Sequence, residues 1–251
     1  MGHAEPLVGS ALGSELGSEL AGRLEELGER VRPTTLARDQ RLPLLPALEP
    51  LIPGAGLRRG STLSVDGPAA TSLALATASA ASQDGAWVAA VGFPSLGLLA
   101  AAELGVALER FVLVASPDTA PGPDNETATW AAAVAALVDA FEVGLVQTTD
   151  PVRSRDARRL AARARERGAV LVQVGSRHWP EGADVSFEVT GATWEGLGTG
   201  HGHLRARKVT VLGGGRREAA RPREVELWLP SIDGEIEAVL PQPLPLHARG
   251  A

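Results

Sequence analysis

The chain contains no cysteine and no tyrosine, and Lys208 is the only lysine among its 251 residues. The missing cysteine excludes disulfides, cysteine-ligated zinc and thiol catalysis. The single lysine narrows the options for holding phosphate: Lys208 lies in "RARKVTV", with no Gly-rich loop before it. No basic segment followed by an apolar core opens the chain, so no signal peptide is expected and a cytoplasmic location is. Uninterrupted apolar runs are scarce as well. Residues 88–108 are apolar but broken by Pro94 and Glu103, which fits a strand, a turn and a helix better than a membrane span. A net charge of −6 argues against a polycation that seeks nucleic acid with its whole surface. With 44% hydrophobic residues, the chain can build one α/β domain with a full core, plus tails.

Three segments follow from composition and pattern. Residues 1–40 are polar and locally repetitive, with "GSELGSEL" over 13–20. Leu16, Leu20, Leu24 and Leu27 recur at helical spacing, which predicts an amphipathic helix over 15–31. It reads either as a loosely docked helix or as an arm that packs on a neighbouring subunit. Residues 41–229 form the expected core. Their lead-in, 42–60, carries four Pro and three Gly and reads as extended chain. Strands are then expected over 61–65, 87–93, 111–115, 143–147 and 169–174. They alternate with helices over 70–83, 95–104, 127–141 and 151–167. Asp150 reads as a helix cap with Pro151 at the first helical position, and Gly168 as the stop. This rhythm predicts a mainly parallel sheet with helices on both faces. Segments 185–190, 206–212 and 224–229 are strand-like with only turns between, an antiparallel C-terminal extension of the sheet. The Pro-rich segment 230–251 reads as a flexible tail.

One stretch carries the outline of a phosphate-binding loop. In "STLSVDGPAATSLALA", 61–76, a short strand runs into Asp66-Gly67-Pro68 and then into an apolar helix. Strand, tight turn and helix N-terminus in that order hold phosphates with backbone N–H groups and the helix dipole. Such loops place a Lys just before the Thr or Ser, and here Ala70 stands before Thr71. Gly67, Pro68, Thr71 and Ser72 are therefore read as a vestigial phosphate loop. Thr71-Ser72 reads equally well as a plain N-cap pair.

Basic charge clusters elsewhere. Seven Arg lie between Arg153 and Arg167 against Asp156 and Glu166, a net +5 on one expected helix. Ala157, Leu160, Ala161 and Ala164 supply its buried stripe. Its arginines are then either a solvated face or a surface for phosphate backbone or an acidic partner. Arg158, Arg159, Arg163 and Arg165 are the candidate contacts. Arg177 and Trp179, in "SRHWPEGAD", are further candidates for contact with DNA or a partner, against a closed turn as the plainer reading. His201-Gly202-His203 belongs to a predicted hairpin and has no acidic pair nearby to close a metal site.

Residues 57–114, "LRRGSTLSVDGPAATSLALATASAASQDGAWVAAVGFPSLGLLAAAELGVALERFVLV", resemble the RecA recombinase core in the order of their elements, and the likeness continues more weakly to about residue 212. "AELGVALERFVLV", "RRLAARARERGAVLV" and "TGATWEGLGTGHGHLRARKVTV" resemble the ImuA-type mutasome accessory proteins, which have degenerate RecA-like cores. The resemblance implies an α/β fold and three expected working groups, each replaced here. Ala70 stands for the loop Lys. Pro94 in "VAAVGFPSLG" stands near the Glu that orients water. Gln147 in "FEVGLVQTTD" stands for the Asp of the magnesium shell. Phosphoryl transfer rests on such electrostatic positioning, so no ATP hydrolysis is expected, and no cofactor, with weak ATP binding left open. The family's first DNA loop is missing and its second is short. The resemblance implies a Y-family-like polymerase subunit as partner, with RecA, a replicative-type polymerase and DNA as further candidates, in DNA-damage-induced error-prone translesion synthesis. A nucleotide-binding switch without turnover and a SulA-like division inhibitor are the alternatives.

Overall fold

Alternation along the central strands decides the architecture. Val170, Val172 and Val174 pack into one hydrophobic cluster and Leu171 into another. The strand over 143–147 behaves alike: Leu145 faces the first cluster and Val146 the second. Both faces of these strands are thus apolar, so both must be covered. A computed structural model describes residues 41–52, 54, 56–114, 123–147, 151–175, 179–180, 182–198 and 201–239. The expected helix over 15–31 lies outside them.

A small antiparallel ribbon opens the described chain, β1 (Arg41–Pro43) with β2 (Gly56–Arg58). There follow β3 (Thr62–Asp66), α1 (Ala70–Gln83), β4 (Val88–Val91), α2 (Leu98–Glu103), β5 (Phe111–Val114), α3 (Pro123–Ala140), β6 (Val143–Gln147), α4 (Ser154–Arg167) and β7 (Val170–Val174). The chain then turns to β8 (Val185–Gly198), β9 (His201–Gly215), β10 (Arg223–Trp228) and β11 (Glu237–Ala238). The main sheet has nine strands in the order β11-β10-β9-β8-β3-β7-β6-β4-β5. The block from β8 to β5 is parallel, and β9, β10 and β11 extend it antiparallel. This is the expected parallel sheet with an antiparallel C-terminal extension.

Two hydrophobic clusters cover the two faces. α1, α2 and the ribbon pack on one through Leu73, Ala101 and Leu57, and α3 and α4 pack on the other through Leu137 and Leu160. Glycine permits one close approach: a side chain at Gly144 on β6 would occupy the place of Leu137. Among the described residues no helix is long and apolar enough to cross a membrane.

Several boundaries differ from the sequence reading. The Pro-rich lead-in forms the β1–β2 ribbon and a 3₁₀ turn over Glu49–Leu51, because Leu42, Leu48, Leu51 and Leu57 all bury against the sheet. α4 starts at Ser154 with extended Arg153 as its N-cap, three residues later than expected. Val152 is drawn into the core there, which keeps Pro151–Arg153 out of the helix; Asp150 lies outside the described residues. β8 and β9 run well past their predicted ends, with a register shift at Thr190, where β8 absorbs an extra residue, and another at Gly196, opposite which β9 carries residues 203–205. Their outer half is exposed on the hairpin. Residues 230–239, expected in a flexible tail, fold back instead. Ser231 N–H donates to the Glu235 carbonyl at 2.7 Å, and β11 pairs with β10.

Candidate functional site

The expected phosphate loop sits at the C-terminal end of β3, the central strand of the sheet, where open α/β sheets place their ligands. Two of its backbone donors are engaged by the chain itself. Gly67 N–H donates to Asp66 Oδ1 at 2.6 Å, and Ala70 N–H to the Gly67 carbonyl at 3.1 Å. Pro68 has no N–H to offer. A carboxylate thus occupies the first donor of the turn, where a phosphate loop presents an open N–H. The turn is also pressed against the neighbouring strand. Gly67 has φ +92°, and a Cβ there would collide with the Val189 carbonyl of β8. Ala69, at φ 74°, is the N-cap of α1, so Thr71 and Ser72 lie within the first turn and are not the cap pair of the alternative reading.

A cation does reach this helix head, and it is not the lysine. Arg207 of β9 donates from NH2 to Ser72 Oγ at 2.9 Å and from Nε to the Leu229 carbonyl at 2.7 Å. Its guanidinium lies 4.9 Å from the ring centre of Trp194, its direct cross-strand partner. Burial lowers the Arg207 pKa from its ordinary value. The next residue, Lys208, points to the other face of the strand, as alternation requires, and pairs with Glu226 at 2.9 Å. Sequence reasoning missed Arg207 because it sought a phosphate-binding lysine. The available signal was the β8–β9 register, which sets Arg207 opposite Trp194.

The other two expected positions lie at neighbouring strand ends. β4 ends at Gly92-Phe93-Pro94, with Phe93 buried and Pro94 exposed. Gly92 has φ +83°, and a Cβ there would collide with the carbonyl of Gln147. That carbonyl, at the tip of β6, accepts the indole N–H of Trp130 at 3.1 Å. Ala70, Pro94 and Gln147 therefore stand at or just beyond the C-terminal ends of the inner parallel strands β3, β4 and β6, with no carboxylate or amine among them.

The arginine helix divides. Ala157, Leu160 and Ala164 are its buried stripe, whereas Ala161 is only half-buried. Arg163 binds both oxygens of Asp139 on α3, and Arg167 Nε joins Asp139 at 3.0 Å. Burial alone would raise the Asp139 carboxyl, but the hydrogen bond and charge of Arg163, with Arg167, hold it below its ordinary 3.8. Arg163 is thus a helix-to-helix tie and not an open contact residue. Arg158, Arg159 and Arg165 are exposed. Trp179 is corrected as well. It is 4% exposed and belongs to the core cluster beneath α3 and α4, because an indole with an apolar groove available gains more from burial than from solvent. Arg177 lies outside the described residues.

The parallel sheet with its helix after β3 and its antiparallel extension defines a RecA-like α/β fold. The crystal structure of the RadB recombinase matches with a TM-score of 0.55 at 16% identity, over 78% of this chain and 97% of that one. At that identity the likeness concerns the fold alone. A family model gives the narrower assignment. The model of the MT3502 N-terminal domain matches residues 50–181, just over half of the chain, and the chain belongs to that family. The matched span ends before β8, so the antiparallel extension lies beyond it. No curated protein matches the chain.

Proposed function

We propose that the protein is a non-catalytic RecA-like scaffold that binds a Y-family-like polymerase subunit in DNA-damage-induced error-prone translesion synthesis. The observation that carries the non-catalytic half is the turn after β3: Asp66 holds the Gly67 N–H, Pro68 offers none, and no lysine precedes Thr71. An incoming triphosphate would meet a carboxylate where it needs donors, and phosphoryl transfer depends on positive charge placed at that point. The partner half rests on the resemblance of the segments quoted above to ImuA-type proteins. Steady-state phosphate release, with and without single-stranded DNA, is the first test, and the expected rate is background. DNA-stimulated turnover that disappears in Thr71→Val would overturn the non-catalytic reading. Co-purification with a Y-family-like polymerase subunit tests the rest. A stable complex is expected, and its absence at micromolar concentrations would overturn the scaffold reading.

A further inference from the structure

At the opposite end of β3 from Gly67 the chain builds a cavity of about 420 Å³. Its walls come from the β2–β3 turn, the start of β8, the end of β9 and the C-terminus of α4. Six arginines line it: Arg41, Arg58 and Arg59 from the ribbon side, Arg165 from α4, and Arg216 and Arg217 from the turn after β9. Among the described lining residues Asp184 is the only carboxylate. It is already engaged, since its Oδ2 accepts from the Thr62 N–H at 3.0 Å and from the Thr62 hydroxyl at 3.1 Å. Arg58, Arg59, Arg165, Arg216 and Arg217 form no ion pair with a described carboxylate. Arg59 Nε is buried with no hydrogen-bond partner. Buried donors are nearly always satisfied, and a charged one left unmade is costly, so this atom calls for an acceptor. Arg217 adds a second anomaly. Its φ of 53° lies in the left-handed region that side-chain-bearing residues avoid, and Arg217 is the sixth arginine of the lining.

We propose that this cavity binds a compact polyphosphate, two or more linked phosphate groups either free or carried on a nucleoside. Guanidinium forks match phosphate oxygens two at a time, and several converging forks select for dense negative charge over a single carboxylate. The volume falls within the range of small-ligand pockets, and Ile52, Leu57 and Val185 give it an apolar wall for an uncharged part of the ligand. A nucleic-acid strand fits less well. Its phosphates run along a line, whereas these arginines line one depression, and among the described residues no aromatic side chain lines it to stack a base. The proposal stands independently of the scaffold reading, because the whole length of β3 separates the cavity from the Gly67 turn.

Calorimetric titration of the full chain with tripolyphosphate, with a nucleoside triphosphate and with a single-stranded oligonucleotide tests it. Saturable binding of tripolyphosphate is expected, weakened at least about tenfold in Arg59→Gln/Arg216→Gln with the circular dichroism spectrum unchanged. Arg217→Gln, on an exposed turn, gives the same readout should the double variant fail to fold. Tighter binding of the nucleoside triphosphate than of tripolyphosphate identifies a nucleotide, and equal binding identifies the bare polyphosphate. No binding, binding of the oligonucleotide alone, or binding lost in Thr71→Val but kept in the arginine variants would each overturn the proposal. ATP turnover would overturn the non-catalytic reading above and leave this one standing.

Discussion

Gly67 shows how a single residue closes the end of β3. Its left-handed φ and its contact with the Val189 carbonyl are separate demands, and both exclude a side chain. Gly234 provides the comparison, because it has a similar φ of +87° but nothing within 4 Å of a built Cβ. Gly234→Ala should cost about 1–2 kcal/mol, the ordinary penalty for a left-handed alanine. Gly67→Ala should cost about 2–4 kcal/mol, since the turn must also move away from β8. Urea unfolding midpoints of the two variants check the difference, and equal values would mean that the turn yields without effort. Arg207 makes the complementary point. A charged residue beside an ancestral-looking phosphate position is held by a carbonyl, a hydroxyl and a ring, so its role in this fold is to fasten β9 to the head of α1 and to Leu229.

Asp139, Arg163 and Arg167 join α3 to α4 across the face of the sheet. The Asp139 pKa is depressed in the folded chain, so its contribution is complete above the ordinary carboxylate pKa and declines as pH falls through the folded value. Asp139→Asn should therefore destabilise by about 1–2 kcal/mol at neutral pH, a range discounted because Arg163 is partly exposed. The gap between wild type and variant should shrink below about pH 4. Thermal melts of both proteins at pH 7 and pH 3 measure it, and a gap that does not narrow would assign the loss to packing. The elements themselves were readable to different degrees. Helix 70–83 and strand 143–147 match their sequence bounds, because polar residues stop each apolar run, Asp84 after the one and Glu142 and Thr148 on either side of the other. The β1–β2 ribbon was hidden, because its prolines mark turns and only tertiary burial of Leu42 and Leu57 makes strands of the rest. Trp179 follows Arg177 and His178, and its polar neighbours disguised a core residue. At the candidate site, the identities of Ala70, Pro94 and Gln147 were legible residue by residue. The Asp66 contact and the arginine cavity were not, since each depends on where separate segments meet.

At the scale of the whole molecule, the sheet is closed by strands distant in sequence. Val65 of β3 pairs with Val174 of β7 on one side and with Phe187 of β8 on the other, so the first strand of the parallel block is completed only by late ones. A chain ending at residue 169 lacks both neighbours of β3, and should show no protected core in limited proteolysis or hydrogen exchange, whereas a chain ending at 239 should be protected throughout the sheet. Protection in the shorter chain would mean that β4, β5 and β6 suffice as a nucleus. The same placement has a consequence during synthesis. Val65 leaves the ribosome 109 residues ahead of Val174, and at about 5–20 residues per second that is a wait of roughly 5–20 s. Throughout it Leu63 and Val65 are apolar strand without their finished neighbours, so the nascent chain should be a client for holding chaperones, and the yield of folded protein should depend on translation speed more than on the stability of the finished sheet.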